Sequence, residues 1–275
     1  MYRIELNGIW TLFEHQTRLC EGKIPGSVYS FLLQAGKMSD PFYRENELEV
    51  LKLIEKDYTF VRNFKLDVLP QPCETVLLRC DGLDTVCTLF LNEKQIGIAD
   101  NMHRNWEFDV TNALSVGENV LKVAFASPTR TIKQIQANDF IGGTQHAMEG
   151  FPHLRKAHCM FGWDWGPRLP DAGIWRDIYL LRVNASRLED VHVRQFHTMQ
   201  GEVWLTVDAT QTGDAQVNIY LENQEGNCRT LKNGTSLQIE DPQLWWPHGL
   251  GNQPLYTVRV ELLCEGVVVD SWRKR

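Results

Sequence analysis

The sequence predicts an all-β protein made of two consecutive sandwiches, and three observations support this fold class. Most of the apolar runs are short, rich in β-branched and aromatic residues, and bounded by turn residues. Apolar and polar residues alternate along residues 58–64 and 119–125, which indicates strands with one core face and one wetter face. The chain has 275 residues, and at about 100 to 200 residues per domain it is long enough for two domains.

The strands are predicted from pattern and composition, each between local turn signals. They alternate with few helical segments, which is typical of stacked sheets rather than of a mixed α/β fold. The predicted strands are residues 9–13, 58–64, 75–79, 86–91, 106–110, 120–125, 175–183, 191–195, 203–207, 216–221 and 256–263.

Helical signals are brief. Residues 27–35 begin with a serine cap and are followed by Gly36, so a helix is predicted there. Residues 129–138, after Pro128, form a second candidate helix, and residues 139–155 are predicted to be a long irregular loop. Long loops on rigid scaffolds often carry function.

A domain boundary is predicted where one strand series ends and another begins. The first domain is expected to span residues 1–185 and the second residues 186–275. In the second domain the strands recur at intervals of about ten residues, which is typical of an immunoglobulin-like sandwich.

Composition argues against several classes of partner. A net charge of -7 does not favour nucleic acid, and no apolar run of about 18 residues predicts a membrane span. The first residues lack the basic and apolar segments of a signal peptide, so a cytoplasmic protein is expected. The seven cysteines form no CxxC pair and are interpreted as small buried thiols. No cofactor and no metal are predicted. The alternative, a metal site at His153 and His158, has little support from their spacing.

The most informative segment is Trp163-Asp164-Trp165, flanked by Gly162 and Gly166. Sugar C–H faces stack on indole rings, and a carboxylate accepts hydrogen bonds from sugar hydroxyls. These residue types therefore indicate a sugar site on a bent loop. The alternative is a tryptophan corner in a sandwich core, although a carboxylate is rarely buried unless it is paired.

Six short motifs are distributed along essentially the whole chain. They are Leu-Asn-Gly-Ile-Trp at 6–10, Pro-Gly-Ser-Val at 25–28, Asp-Pro-Phe-Tyr-Arg-Glu-Asn-Glu at 40–47, Phe-Gly-Trp-Asp-Trp-Gly-Pro at 161–167, Gly-Ile-Trp-Arg at 173–176, and 244–256 with Trp-Trp-Pro and Gly-Asn-Gln-Pro-Leu-Tyr. Together these motifs resemble those of β-mannosidases of glycoside hydrolase family 2. Some of them are shared with galactosidases and glucuronidases of that family, whereas the segments 40–47 and 161–167 look specific to the β-mannosidase branch.

The resemblance implies a jelly-roll, galactose-binding-like sandwich, then an immunoglobulin-like sandwich, then a (β/α)8 barrel that carries both catalytic glutamates. The barrel is absent from this chain, which is therefore expected to be the amino-terminal, non-catalytic part of a retaining enzyme that removes terminal non-reducing β-D-mannose. Such chemistry needs two carboxyl groups about 5 Å apart. The chain alone is expected to be inactive, because its candidate pairs are interpreted as solvated turn or edge carboxylates: Glu45 with Glu47, Glu189 with Asp190, and Glu240 with Asp241.

The resemblance also implies roles for loop residues. Asp164 would accept hydrogen bonds from mannose hydroxyls and Trp163 would wall the pocket, while Trp165 either contacts the sugar or packs behind the loop. Arg155 could orient Asp164, whereas Asn101 and His103 are interpreted as turn and surface residues. The expected partners are a β-mannoside or manno-oligosaccharide and the barrel as an intramolecular domain; a homo-oligomer is left open.

Three alternatives to this interpretation remain. The chain could be a stand-alone carbohydrate-binding module, or the same portion of a β-galactosidase, β-glucuronidase or exo-glucosaminidase. It could also serve only as packing and oligomer surface, in which case the tryptophan loop would not affect turnover.

Overall fold

A computed structural model describes residues 2–71, 74–183 and 186–275. The chain divides into two compact units, Tyr2–Arg182 and Val183–Arg275. The predicted domain boundary falls between residues 185 and 186, and residues 184 and 185 lie outside the described residues. The all-β prediction is confirmed, and no (β/α)8 barrel occurs in the described ranges.

The first unit is a sandwich of two main antiparallel sheets. One sheet has the order β1-β12-β5-β9, the other β3-β2-β4-β10-β7-β8, and β6 pairs with β11 in a small third sheet. The strands are β1 Tyr2–Glu5, β2 Gly8–Glu14, β3 Thr17–Ile24, β4 Tyr58–Leu66, β5 Thr75–Cys80, β6 Leu83–Asp84, β7 Cys87–Leu91, β8 Lys94–Ala99, β9 Trp106–Asp109, β10 Gly117–Phe125, β11 Gly173–Ile174 and β12 Ile178–Val183.

The core of this unit lies between the sheets and follows the predicted alternation. In β10, Leu121, Val123 and Phe125 are buried while the residues between them are only half-buried. The ring of Phe60 makes edge-to-face contacts with Phe31 at 5.1 Å and with Phe125 at 5.6 Å between centroids. Such pairs add about 0.5–1.5 kcal/mol beyond the burial of their area.

Among the described residues of this unit, three α-helices flank the sheets: α1 Val28–Gln34, α2 Asn46–Ile54 and α3 Pro128–Gln136. Helix α1 is capped as predicted, because the Ser27 side chain accepts a hydrogen bond from the Ser30 amide. Helix α2 was not predicted from the sequence. Val50 and Ile54 of α2 are buried and Leu53 packs against the core, but Leu48 and Leu51 are also apolar and lie outside this stripe, which obscures the helical period.

Residues 139–172 are mostly irregular, in agreement with the predicted loop through residue 155. They contain two short 3₁₀ helices, Phe151–His153 and His158–Phe161. Leu154 and Phe161 are buried in a small apolar cluster with Ile132 of α3, separate from the main core. This cluster packs the irregular segment against α3.

The second unit is a smaller sandwich with sheet orders β13-β14-β17 and β16-β15-β18-β19. Val207, Ile219, Val260 and Leu262 are fully buried between the two sheets. The strands are β13 Arg187–His197, β14 Val203–Thr212, β15 Gln216–Glu222, β16 Cys228–Leu231, β17 Ser236–Ile239, β18 Thr257–Cys264 and β19 Val267–Lys274.

Two sequence predictions need correction. The strand expected over residues 175–183 begins only at Ile178, as β12 Ile178–Val183; residues 175–177, which follow the short strand β11, are not in a strand. Cys80 and Cys87 are buried as predicted, but Cys159, Cys228 and Cys264 are exposed, because they lie in a 3₁₀ helix and at strand ends; Cys73 lies outside the described residues. Within the described ranges, no helix is both long and apolar enough to cross a membrane.

Candidate sugar-binding site

The candidate site is the tip of a long excursion between Lys156 and Asp171, here called the tryptophan loop (residues 157–170). The two sides of the loop run alongside each other like an irregular hairpin. The amide of Leu169 donates to the carbonyl of Met160 at 2.8 Å, and Trp163 and Gly166 form an isolated antiparallel bridge beyond it. Asp164 and Trp165 are therefore the two central residues of the turn at the tip.

The tip displays its aromatic rings to solvent. Trp163 is 44% exposed and Trp165 is 60% exposed, and Asp164 between them is also exposed. The two indoles meet edge to face, with centroids 4.4 Å apart and planes at 87°. The alternative of a buried tryptophan corner is wrong for this chain, because neither ring enters the core.

Gly162 directs the chain into the tip. It adopts a φ of 81°, and a Cβ built there would lie 2.5 Å from Cγ of Arg168. Both the left-handed backbone and the close approach of Arg168 require glycine. Gly166, at the other end of the turn, has nothing within 4 Å of such an atom.

The structure connects the segment 40–47 with the residue that directly follows the segment 161–167. Glu47, in the first turn of α2, accepts a hydrogen bond at 2.8 Å from the backbone amide of Arg168 in the tryptophan loop. Phe42 and Tyr43, just before α2, are 75% and 57% exposed. Glu47 is half-buried and belongs to a helix, which corrects its interpretation as a solvated loop carboxylate.

The two ends of the tryptophan loop rest on buried charged groups that the sequence prediction missed. Lys156 and Asp84 form an ion pair, with side chains 0% and 5% exposed. Burial lowers the pKa of Lys156 against the opposing effect of Asp84. Burial also raises the pKa of Asp171 to about 6, although hydrogen bonds from Ser27, Ala172 and Tyr29 oppose the shift. No local sequence pattern marks these residues as partners.

The other predicted groups do not join the tip. Asn101 accepts a hydrogen bond from the His103 amide at 2.9 Å, as expected for a turn asparagine, and His103 is exposed. Arg155 pairs through its backbone with Asn101 and Met102, and within the described residues no hydrogen bond or ion pair connects it to Asp164. The suggested orientation of Asp164 by Arg155 is therefore wrong.

The histidines have local partners. Nε2 of His153 lies 2.7 Å from Oε1 of Gln136, and Nε2 of His158 lies 3.3 Å from the carbonyl of Leu154. No group of three or more His, Cys, Asp or Glu side chains arranged to hold a metal is found among residues 2–71, 74–183 and 186–275.

The candidate carboxylate pairs are exposed or otherwise engaged. Glu189 and Asp190 are exposed where the pairing of β13 with β14 shifts register. Glu240 forms an exposed ion pair with Arg229 at 3.1 Å, and Asp241 follows it at a turn with a φ of 45°. None of these pairs lies in a rigid, enclosed setting of the kind that glycoside hydrolysis requires.

The arrangement is that of a β-sandwich bearing an exposed aromatic and carboxylate tip. Comparison with known families assigns it: the glycosyl hydrolase 2 galactose-binding-like domain matches residues 10–176, and the glycosyl hydrolases family 2 domain matches residues 186–275. The chain therefore belongs to glycosyl hydrolase family 2.

Within that family the similar proteins include β-mannosidases. The chain is 30% identical to the β-mannosidase of Rattus norvegicus, over 95% of this chain and 33% of that protein. It is 33% identical to β-mannosidase B of Neosartorya fischeri, over 87% of this chain and 30% of that protein. The chain thus spans about a third of the length of the curated relatives it matches.

Solved structures agree with this assignment. The crystal structure of β-D-mannosidase from Dictyoglomus thermophilum superposes with a TM-score of 0.85 and 31% identity, over 98% of this chain and 35% of that one. The exo-chitosanase of Amycolatopsis orientalis superposes with a TM-score of 0.66 at 18% identity, over all of this chain and 33% of that one. The latter likeness shows the shared fold alone.

Proposed function

We propose that this chain is the amino-terminal, sugar-positioning part of a retaining β-mannosidase, and that its tryptophan loop contacts the terminal mannose. The observation that carries the proposal is the exposed tip, where Asp164 stands between two accessible indoles. The similarity to β-mannosidases from mammals, fungi and a bacterium supports mannose over other sugars.

The tip offers the two interactions that a pyranose needs. An indole face accepts the C–H groups of the ring, and a carboxylate accepts two hydroxyl donors. Trp163 and Asp164 make these contacts in the proposal. Trp165, the more exposed indole, sets the orientation of Trp163 through their edge-to-face contact and is open to a second sugar unit.

Catalysis is assigned to a barrel domain outside this chain. That domain would be an intramolecular partner and would bring both catalytic glutamates to the tip. The isolated chain should therefore not hydrolyse an aryl β-mannoside. Turnover at enzyme-like rates by the 275-residue chain would contradict this assignment, because none of the three candidate carboxylate pairs lies in a rigid, enclosed setting.

The test of the sugar contact is a mutational series in an enzyme with a barrel joined to this chain. Asp164→Asn should lower kcat/KM for an aryl β-mannoside roughly 10- to 150-fold, the equivalent of about 1.5–3 kcal/mol for a hydrogen bond to a charged group. Trp163→Ala should also lower it, whereas Asp67→Asn, at an exposed strand end, is the matched control. Unchanged turnover in Asp164→Asn would leave the loop with a packing role only.

The second candidate is a self-contained carbohydrate-binding module, favoured by the same exposed indoles. Calorimetric titration of the chain with a β-mannoside separates the two. Millimolar or tighter binding that disappears in Asp164→Ala and Trp163→Ala supports the module, whereas no binding supports a pocket that needs the barrel. A galactoside, glucuronide and glucosaminide in the same titration test the other branches of the family.

A further inference from the structure

A buried polar cluster lies at the base of the tryptophan loop, away from the exposed tip. The ammonium of Lys156, the residue just before the loop, donates to the carboxylate of Asp84 and, at 2.8 Å, to the backbone carbonyl of Asp171, the residue just after it. One side chain thus joins both ends of the loop. Asp84 ends β6 and pairs with Gly173 of β11, so the junction is anchored in a sheet.

The carboxylate of Asp171 extends the anchor to α1. Its Oδ1 accepts hydrogen bonds from the amide of Tyr29 at 3.1 Å and from its neighbour Ala172 at 2.8 Å. The amide of Val28 also donates to the carbonyl of Ala172 at 2.8 Å. The returning end of the loop is therefore held against the first turn of α1.

The outgoing end is held as well. The amide of Met102 donates to the carbonyl of Arg155 at 2.9 Å, and the amide of Ala157 lies 2.9 Å from Sδ of Met102. From this base the contacts continue outward through the Met160–Leu169 hydrogen bond to the Trp163–Gly166 bridge. Lys156 closes the innermost of three successive links between the two sides of the loop.

Stability alone does not explain an ion pair at a buried place. A buried ion pair can often be replaced by apolar residues without loss of stability, because desolvation offsets the attraction, and buried polar groups are in some proteins retained for the geometry they specify. An apolar side chain at residue 156 could fill the space but could not donate to the carbonyl of Asp171. The specific contribution of Lys156 is this directional link across the loop.

We propose that Lys156 is a positioning residue that fixes the two ends of the tryptophan loop to each other and to β6, and so sets how Trp163, Asp164 and Trp165 are presented to a sugar. The claim that the tip is presented to a sugar rests on the function proposed above. The claim that Lys156 positions the tip does not. The lowered pKa of Lys156 is consistent with the enclosed position of its ammonium.

The coupled indoles provide a direct readout. The indoles of Trp163 and Trp165, with centroids 4.4 Å apart, should couple their excited states and give a two-signed band in circular dichroism. Trp165→Phe removes the coupling and defines its amplitude in the 275-residue chain. Lys156→Met should reduce the band to the level of Trp165→Phe, whereas Lys133→Met, an exposed lysine of α3, should leave it at full amplitude.

A double variant separates two effects of replacing Lys156: the loss of the positioning link and the loss of the partner of a buried charge. Lys156→Met alone leaves Asp84 unpaired and should lower the melting temperature. Lys156→Met/Asp84→Asn removes both charges and keeps an acceptor for the hydroxyl of Thr85, which donates to Asp84. The double variant should recover most of the melting temperature but not the band. Full amplitude in either folded variant would overturn the proposal.

If neither variant folds, hydrogen exchange in the wild-type chain tests the positioning role instead. The amide of Leu169 is expected to exchange its hydrogen only through global unfolding. Its bond to Met160 joins the two sides of the loop, and the base closed by Lys156 holds those two sides together. Exchange through frequent local opening would contradict the positioning role. A sugar contact that fails the Asp164→Asn test leaves these readouts unaffected, so the two proposals can fail independently.

Discussion

Asp171 illustrates how one buried carboxyl group couples local geometry to pH. It is almost completely buried and faces Lys156, the Ser27 side chain and the amides of Tyr29 and Ala172. Desolvation dominates, so its pKa is about 6 in the folded protein against 3.8 for a free side chain. The folded protein therefore holds a proton between these two values that the unfolded chain has released.

The sign of the stability change follows from this linkage. The contribution of Asp171 is fully present below about pH 4 and is lost as the pH rises through 6, with a slope of up to about 1.4 kcal/mol per pH unit. Asp171→Asn should remove this decline. Urea unfolding of both proteins at several pH values measures the difference, with Asp67→Asn as the control for loss of one carboxyl. A difference that does not change between pH 4 and 6 would contradict the prediction.

The tryptophan loop as an element depends on its two glycines unequally. Gly162→Ala imposes a strained φ and a contact with Arg168, and should cost about 1–3 kcal/mol and disturb the tip. Gly166→Ala meets open space and should change stability by less than about 1 kcal/mol. Thermal unfolding and the indole band of each variant test this, and equal effects at the two positions would refute it.

Elements were predictable to the extent that their patterns were local. The alternation in β4 and β10 and the serine cap of α1 are properties of adjacent residues, and the structure confirms them. Helix α2 was missed because apolar residues such as Leu48 also occur outside its core-facing stripe and obscure the helical period. The start of β12 was predicted three residues too early, at residue 175 instead of Ile178, because Trp175 is a typical strand residue.

At the scale of the whole molecule, the second unit displays an apolar end. A cleft of about 730 Å³ lies beside the segment 242–256, where Trp245 and Trp246 are 55% and 48% exposed. Large exposed apolar patches promote association. The isolated chain should therefore self-associate as its concentration rises.

Light scattering across a concentration series measures this association. Trp245→Ser/Trp246→Ser should reduce it, whereas Phe140→Ser, at an exposed position of the first unit, should have little effect. A monomer at all concentrations would show that the patch does not drive association. The cytoplasmic location and the domain boundary at residues 185 and 186 stay predictions.

The sequence alone determined which functional groups the chain carries and the local conformation of its segments. Strand alternation, the cap of α1, and a bent segment with two indoles around a carboxylate are all properties of neighbouring residues. Only the tertiary structure decided which distant residues meet. Glu47 reaches Arg168 across 121 positions and Lys156 reaches Asp84 across 72, and neither pair has a local signature. The reason is physical: these contacts form only once the sandwich has packed, whereas periodicity and capping act between residues a few positions apart.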